Sequence, residues 1–251
     1  MSDGLAELGF AAVPQRKVLL VNDVVEASGA FLVHHLTSTA VKSDLRVCTV
    51  ALANSLEQYT SIGRKMGANV PAAIAKKKWL HIDGFSRPYD WCAPAPSEES
   101  FSMGSSNVGG DLRSLFLRIR TFVEASTERC LIVVDDLTCI SGQFGADEAM
   151  IFVRYCRHLA FQNNSTLLLL LHGDVACEGN AISLIPAVTD VASAVFTVRG
   201  LDSGYCKDIH GSVTVTTRWQ PTQPVEPATR AAMQYKLLDT GVRVIRSGLE
   251  A

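Results

Sequence analysis

The sequence lacks long apolar runs. The longest, such as Leu167 to Leu171, are five or six residues, against the roughly twenty that a bilayer-spanning helix needs, so no membrane helix is expected. It lacks an excess of either charge: 23 basic and 25 acidic side chains leave a net −2. With 47% hydrophobic residues and a mean hydropathy of +0.17, that balance excludes disorder over most of the chain, because disordered chains are poor in Val, Leu and Ile and rich in net charge. The opening stretch MSDGLAELGFAAVPQRK places acids before bases and has no apolar segment, so no secretion signal is expected. There is no Cys-x-x-Cys pair among the seven cysteines, an odd number. Several sit in aliphatic surroundings, as in Cys48-Thr49-Val50 and Cys130-Leu131-Ile132. That pattern predicts buried, reduced thiols in the cytosol or nucleus rather than disulfides or a zinc site.

At 251 residues the chain has the length of one ordinary α/β domain. Short apolar runs at Lys17–Val21, Arg46–Leu52, Trp79–Asp83, Cys130–Val134 and Leu167–Leu171 read as buried strands. Between them, apolar residues recur at helical spacing over Gly29–Ser43, Ser55–Met66, Asp111–Ala125, Asp147–Phe161 and Ala181–Val188. Ser55 is placed to cap its helix, with Gln58 three residues on. From Ala194 the pattern changes to alternating strands, with Asp239-Thr240-Gly241 closing a hairpin. The expected fold is a single three-layer α/β domain over 17–251, with a mostly parallel sheet, antiparallel C-terminal strands and a 16-residue N-terminal tail. Thirteen of the 27 positions from 84 to 110 are Gly, Pro or Ser, which predicts an exposed, mobile loop.

In an open parallel sheet, ligands sit beyond the carboxyl ends of the strands. The first strand-loop-helix is where a phosphate loop, G-x-x-x-x-G-K-[ST], would lie. Such a loop offers backbone N–H groups to phosphates, a lysine to offset their charge and a hydroxyl to hold magnesium. The window from Val24 to Phe31 keeps only Gly29: Val24 replaces the first glycine, Ala30 stands for the lysine and Phe31 for the hydroxyl residue. Glu26 adds a negative charge, which at ~4 Å and an effective dielectric near 20 costs about 4 kcal/mol against a polyanion. The apolar strand ending in Asp135 resembles the segment that orients magnesium in phosphate-loop enzymes, yet Leu52-Ala53-Asn54, where an acid would activate water, carries none. The expectation is a degenerate nucleotide pocket around Ser28, Gly29, Ala30, Phe31 and Asp135, with no cofactor, no metal and no catalytic residue.

Three further features of the sequence bear on function. His34 and His35 are helix neighbours about 100° apart and do not easily face one metal. His172 and Asp174 at a strand end suggest proton transfer, but no Gly-x-Ser-x-Gly elbow accompanies them. Between Arg64 and Arg87 lie six bases and one acid, Asp83. Lys76, Lys77 and Lys78, followed by Trp79, form either a nucleic-acid contact or a solvated face beside a buried tryptophan.

Ala27 to His35 with Val47 to Leu52, Tyr59 to Gly67, Leu131 to Leu137, Gly200 to Gly211 and Met233 to Lys236 together resemble the family of sixth subunits of the Elongator complex. The resemblance runs from about 17 to 246, omitting 84–110. It implies a RecA-like fold without Walker chemistry and a hetero-hexameric ring with Elongator subunits four and five. It further implies docking of that ring on the catalytic acetyltransferase subcomplex and binding of tRNA in support of wobble-uridine modification. The family has no catalytic residue to transfer. The competing readings are a divergent RecA-like ATPase acting on its own and a stand-alone nucleic-acid-binding module.

Overall fold

The structure, a computed structural model, describes residues 8, 10–86, 111–175, 181–201, 203–204, 206–217 and 230–246. The expected loop at 84–110 therefore lies, from 87 onward, outside the described residues.

The apolar runs form β1 (Val18–Asp23), β2 (Arg46–Ala51), β3 (Trp79–Asp83), β4 (Cys130–Val134), β5 (Thr166–His172) and β6 (Ala194–Arg199). Every residue of β2 and β4 is buried. Strands covered on both faces need continuous apolar sequence rather than alternation. These six pair in parallel in the order β3-β2-β4-β5-β1-β6. The alternating segments form β7 (Gly211–Thr217), β8 (Arg230–Leu238) and β9 (Gly241–Arg246), which extend the sheet antiparallel beyond β6. This nine-stranded sheet has the RecA-like three-layer organisation expected from the sequence.

The helices divide between the two faces. On one lie α1 (Ala30–Lys42), α2 (Leu56–Lys65) and α3 (Val70–Ala75). Their Leu32, Leu36, Tyr59 and Val70 pack with Leu19, Val21, Val133 and Leu168 of the sheet and with Phe196, Val213 and Tyr235 of its C-terminal half. On the other lie α4 (Leu112–Glu124), α5 (Leu137–Phe144), α6 (Ala146–Gln162) and α7 (Ala181–Val191). Leu115, Ile119, Leu137, Phe152 and Leu184 meet Leu20, Val50, Val134 and Leu169 there. Successive strand residues feed opposite cores, as a period of two requires.

Two short helices, α3 and α5, interrupt stretches that the sequence pattern leaves without structure. Each starts at a capping side chain: Asn69 Oδ1 accepts from Ala72 N at 3.0 Å, and Asp136 Oδ1 accepts from Thr138 N at 2.8 Å. The Ser55 cap of α2 forms as expected, accepting from Gln58 N at 3.2 Å. Gly145, at φ +87°, lets α5 turn into α6 within one residue. Residues 10–16 pack on the sheet: Phe10 meets Phe196, and the carbonyls of Val13 and Pro14 accept from Arg129.

Candidate functional site

The strand order inserts β5 between β1 and β4, so three acid- or imidazole-bearing strand ends lie side by side. Asp23 closes β1 and His172 closes β5, and the two are register partners. Asp135 and Asp136 follow β4. The sequence pattern marks Asp135 and His172 here, but not Asp23, Asp136 or Tyr59.

Asp23 is fully buried and both of its oxygens are engaged. Oδ1 meets His172 Nδ1 at 2.5 Å, and Oδ2 accepts from Gly29 N at 2.6 Å. The backbone N–H at the start of α1, the kind of donor a phosphate would use, is thus taken by the chain's own carboxylate. The turn is held so close to β1 that a Cβ on Gly29 would collide with Val21 Cγ1. Ser28 is exposed and its hydroxyl accepts from Ala30 N at 3.2 Å. Phe31 packs against Tyr235 with the rings tilted, their centroids 4.7 Å apart. Val25 and Glu26 face solvent, Val25 being 75% exposed. Asp174 Oδ2 steadies this turn by accepting from Val25 N at 2.9 Å.

His172 reaches a second carboxylate, with Nε2 3.7 Å from Asp136 Oδ2. That oxygen also accepts from Cys139 Sγ at 2.9 Å, while Oδ1 caps α5. The backbone N–H of His172 donates to Thr138 Oγ1 at 2.9 Å. The Asp23 hydrogen bond, helped by the surrounding acids, raises the His172 pKa above 6.5 against the opposing pull of burial. Burial, with Asp136 alongside, pushes the Cys139 thiol up to about 12, so it stays a thiol. Among the described residues no group of three His, Cys, Asp or Glu is arranged to hold a metal ion.

Asp135 points elsewhere, into the β2–α2 turn. It accepts from the backbone N–H groups of Leu52, Ala53 and Asn54 at 2.5, 3.1 and 3.1 Å, and from Asn54 Nδ2 and Tyr59 Oη at 3.1 Å each. Burial pushes its carboxyl pKa up, and the donors around it act against that push. Tyr59 packs edge-on against His34 and Trp79. His34 is buried, and desolvation lowers its pKa to about 4, so the ring is neutral at pH 7.

The three lysines separate. Lys76 and Lys77 are exposed past the end of α3, Lys77 with φ +58°. Lys78 is drawn down between Asp44 and Glu128, its Nζ 2.7 and 3.2 Å from their carboxylates. Trp79 is a buried β3 residue with its side chain in the core.

The family described as Elongation complex protein 6 matches residues 4–239. Elongator complex protein 6 of Homo sapiens is 28% identical over 247 residues, covering 94% of this chain and 92% of that protein. The protein of the same name from Xenopus tropicalis is 24% identical, covering 99% and 97%, and that from Dictyostelium discoideum 22%, covering 94% and 92%. The chain belongs to the Elongation complex protein 6 family.

Proposed function

We propose that this member of the Elongation complex protein 6 family is a non-catalytic subunit of the Elongator complex. In this reading it completes a hetero-hexameric ring with Elongator subunits four and five. The ring docks on the catalytic subcomplex, binds tRNA and supports modification of the wobble uridine. The chain works in the cytosol or nucleus.

The observation that carries the non-catalytic part is the Asp23–Gly29 hydrogen bond of 2.6 Å. An incoming phosphate would have to displace a buried carboxylate from the N–H it needs, next to Glu26 and without a lysine at position 30. Asp135, at the magnesium-orienting position of a phosphate-loop enzyme, spends its oxygens on five internal donors. In this reading Ser28, Gly29, Ala30, Phe31 and Asp135 mark a degenerate nucleotide pocket that takes no cofactor. The tRNA-facing candidates are Lys76 and Lys77, which are exposed, whereas Lys78 is engaged by two acids.

Co-expression with Elongator subunits four and five, followed by native mass spectrometry, tests the reading. The expected species is one assembly of about 150–200 kDa, roughly six chains of this fold's size. A 27 kDa chain that stays free beside both partners would overturn it. Calorimetric titration with Mg-ATP should give no saturable binding by this chain. Micromolar binding abolished by Asp135→Ala would favour the autonomous ATPase instead.

A further inference from the structure

A phosphate-loop site normally draws its positive charge from a lysine and a magnesium ion. This chain has no lysine in the β1–α1 turn, and one basic side chain stands instead between two acids at the carboxyl edge of the sheet, Asp23 and Asp136. His172, at the end of β5, has Nδ1 2.5 Å from Asp23 Oδ1 on one side and Nε2 3.7 Å from Asp136 Oδ2 on the other. Asp23 in turn holds Gly29 at the start of α1, and Asp136 caps α5.

We propose that protonated His172 is a built-in cation that latches the carboxyl edge of the sheet, tying the β1–α1 turn to the start of α5, and that loss of its proton releases the α5 side. The inference rests on the reading of this site as one without nucleotide.

The geometry says which contact is the switch. An imidazolium carries N–H and positive charge on both nitrogens: Nδ1 hydrogen-bonds Asp23, and Nε2, at 3.7 Å, attracts Asp136 as an ion pair. The neutral ring keeps a single proton, and the 2.5 Å contact with fully buried Asp23 claims it at Nδ1. Nε2 then presents a lone pair to Asp136 Oδ2, and an attraction becomes a repulsion. The acids around the ring favour the cation. Asp23 faces it from β1, Asp136 with the Cys139 thiol from α5, and Asp174 from the segment after β5. Arg199 of β6 comes close to the end of β1, with Nη1 donating to the carbonyls of Asn22 and Val198 at 3.1 and 2.7 Å, and as a permanent cation it acts against the protonated ring. Tyr235 of β8, near Asp23, has a raised pKa through burial and that carboxylate, and stays neutral.

The direction of the pH effect follows. A folded-state pKa raised above the unfolded 6.5 gives a contribution fully present below 6.5 and lost as pH rises through the folded value. An NMR titration of the full chain, with the His172 imidazole assigned through its own backbone, should place its pKa above 6.5. Asp136→Asn, which keeps an N-cap oxygen for α5, should bring that pKa down. The thermal midpoint of the parent chain should fall between pH 6 and 9, and His172→Gln should flatten that fall.

A His172 pKa at or below 6.5 overturns the latch, even if neither variant folds. So does an unchanged pKa in Asp136→Asn, or a slope that survives His172→Gln. Saturable Mg-ATP binding with the slope intact would sink the nucleotide-free reading alone. A missing slope without nucleotide binding would sink the latch alone.

Discussion

Replacing Asp135 with alanine separates a structural acid from a metal-orienting one. The carboxylate is 1% exposed and receives five donors: three backbone N–H groups of the β2–α2 turn, the Asn54 amide and the Tyr59 hydroxyl. Each buried donor left without a partner costs about 1–3 kcal/mol. Ala53 is only half-buried and can recover a hydrogen bond from water, and so can some of the turn once the side chain is gone. Leu52 N, Asn54 Nδ2 and Tyr59 Oη are the groups least able to do so. Counting those three gives a loss of roughly 3–9 kcal/mol, a large share of the 5–15 kcal/mol that holds a typical domain together. Urea unfolding followed by tryptophan fluorescence, with buried Trp79 packed on Tyr59 as reporter, should show the midpoint lowered by about 1–3 M. Asp135→Asn keeps one acceptor oxygen but turns an NH₂ toward donors, and should fall between parent and alanine. An acid retained to hold a metal is strained when the metal is absent, and its removal stabilises or leaves the fold unchanged. A midpoint in Asp135→Ala equal to or above that of the parent would therefore refute the structural assignment.

Two other perturbations act on separate parts of the molecule. Lys76→Glu combined with Lys77→Glu should weaken tRNA binding by the reconstituted assembly and reduce the slope of log affinity against log salt by about 1–2; Lys78→Gln should leave both unchanged, because its ammonium is already held by Asp44 and Glu128, and equal effects from the two would sink the distinction. Acidification should destabilise the chain through His34, whose pKa falls from 6.5 to about 4 on burial. The unfolded ring takes up its proton first, so stability present above pH 6.5 is lost as pH falls through about 4. The loss is about 3 kcal/mol, and an acid limb as steep in His34→Gln as in the parent would contradict it.

The strands were legible because a parallel sheet buried on both faces demands uninterrupted aliphatic sequence, and Leu131 to Val134 or Leu167 to Leu171 has few other uses. Long helices with an apolar stripe, such as Leu112–Glu124, were equally plain. The helices Val70–Ala75 and Leu137–Phe144 were not, since six or eight residues are too short for a period of 3.6 to stand out. Their caps, Asn69 before Val70-Pro71 and Asp136 before Leu137, were the available signals. Asp174 is the acid nearest His172 in sequence, whereas the contacts fall on Asp23 and Asp136, 149 and 36 positions away. Only the order β4-β5-β1 brings them together, and strand order is a property of the whole sheet rather than of any window of sequence. Tyr59 as a partner of Asp135 was hidden for the same reason, lying 76 residues away on α2.

Those long-range contacts explain how the acids at the carboxyl edge of the sheet are partnered within the chain. Parallel strands end together, so their terminal acids are forced into one region whether or not a cation is supplied. Buried carboxylates there would cost several kcal/mol each if left alone. The chain meets that requirement three ways. Asp135 turns sideways and becomes the hydrogen-bond hub of the β2–α2 turn. Asp136 rotates down to cap a short helix, using backbone N–H groups as its counter-dipole. Asp23, the deepest, takes one N–H from the neighbouring turn and the imidazole of its register partner. Each solution uses groups from within two or three adjacent elements of the same fold, so the sheet is complete in its electrostatics before any partner or nucleotide arrives. Restoring a lysine at position 30 would therefore be insufficient to recreate a phosphate site: the anion would still meet Asp23 on Gly29 N and Glu26 beside it.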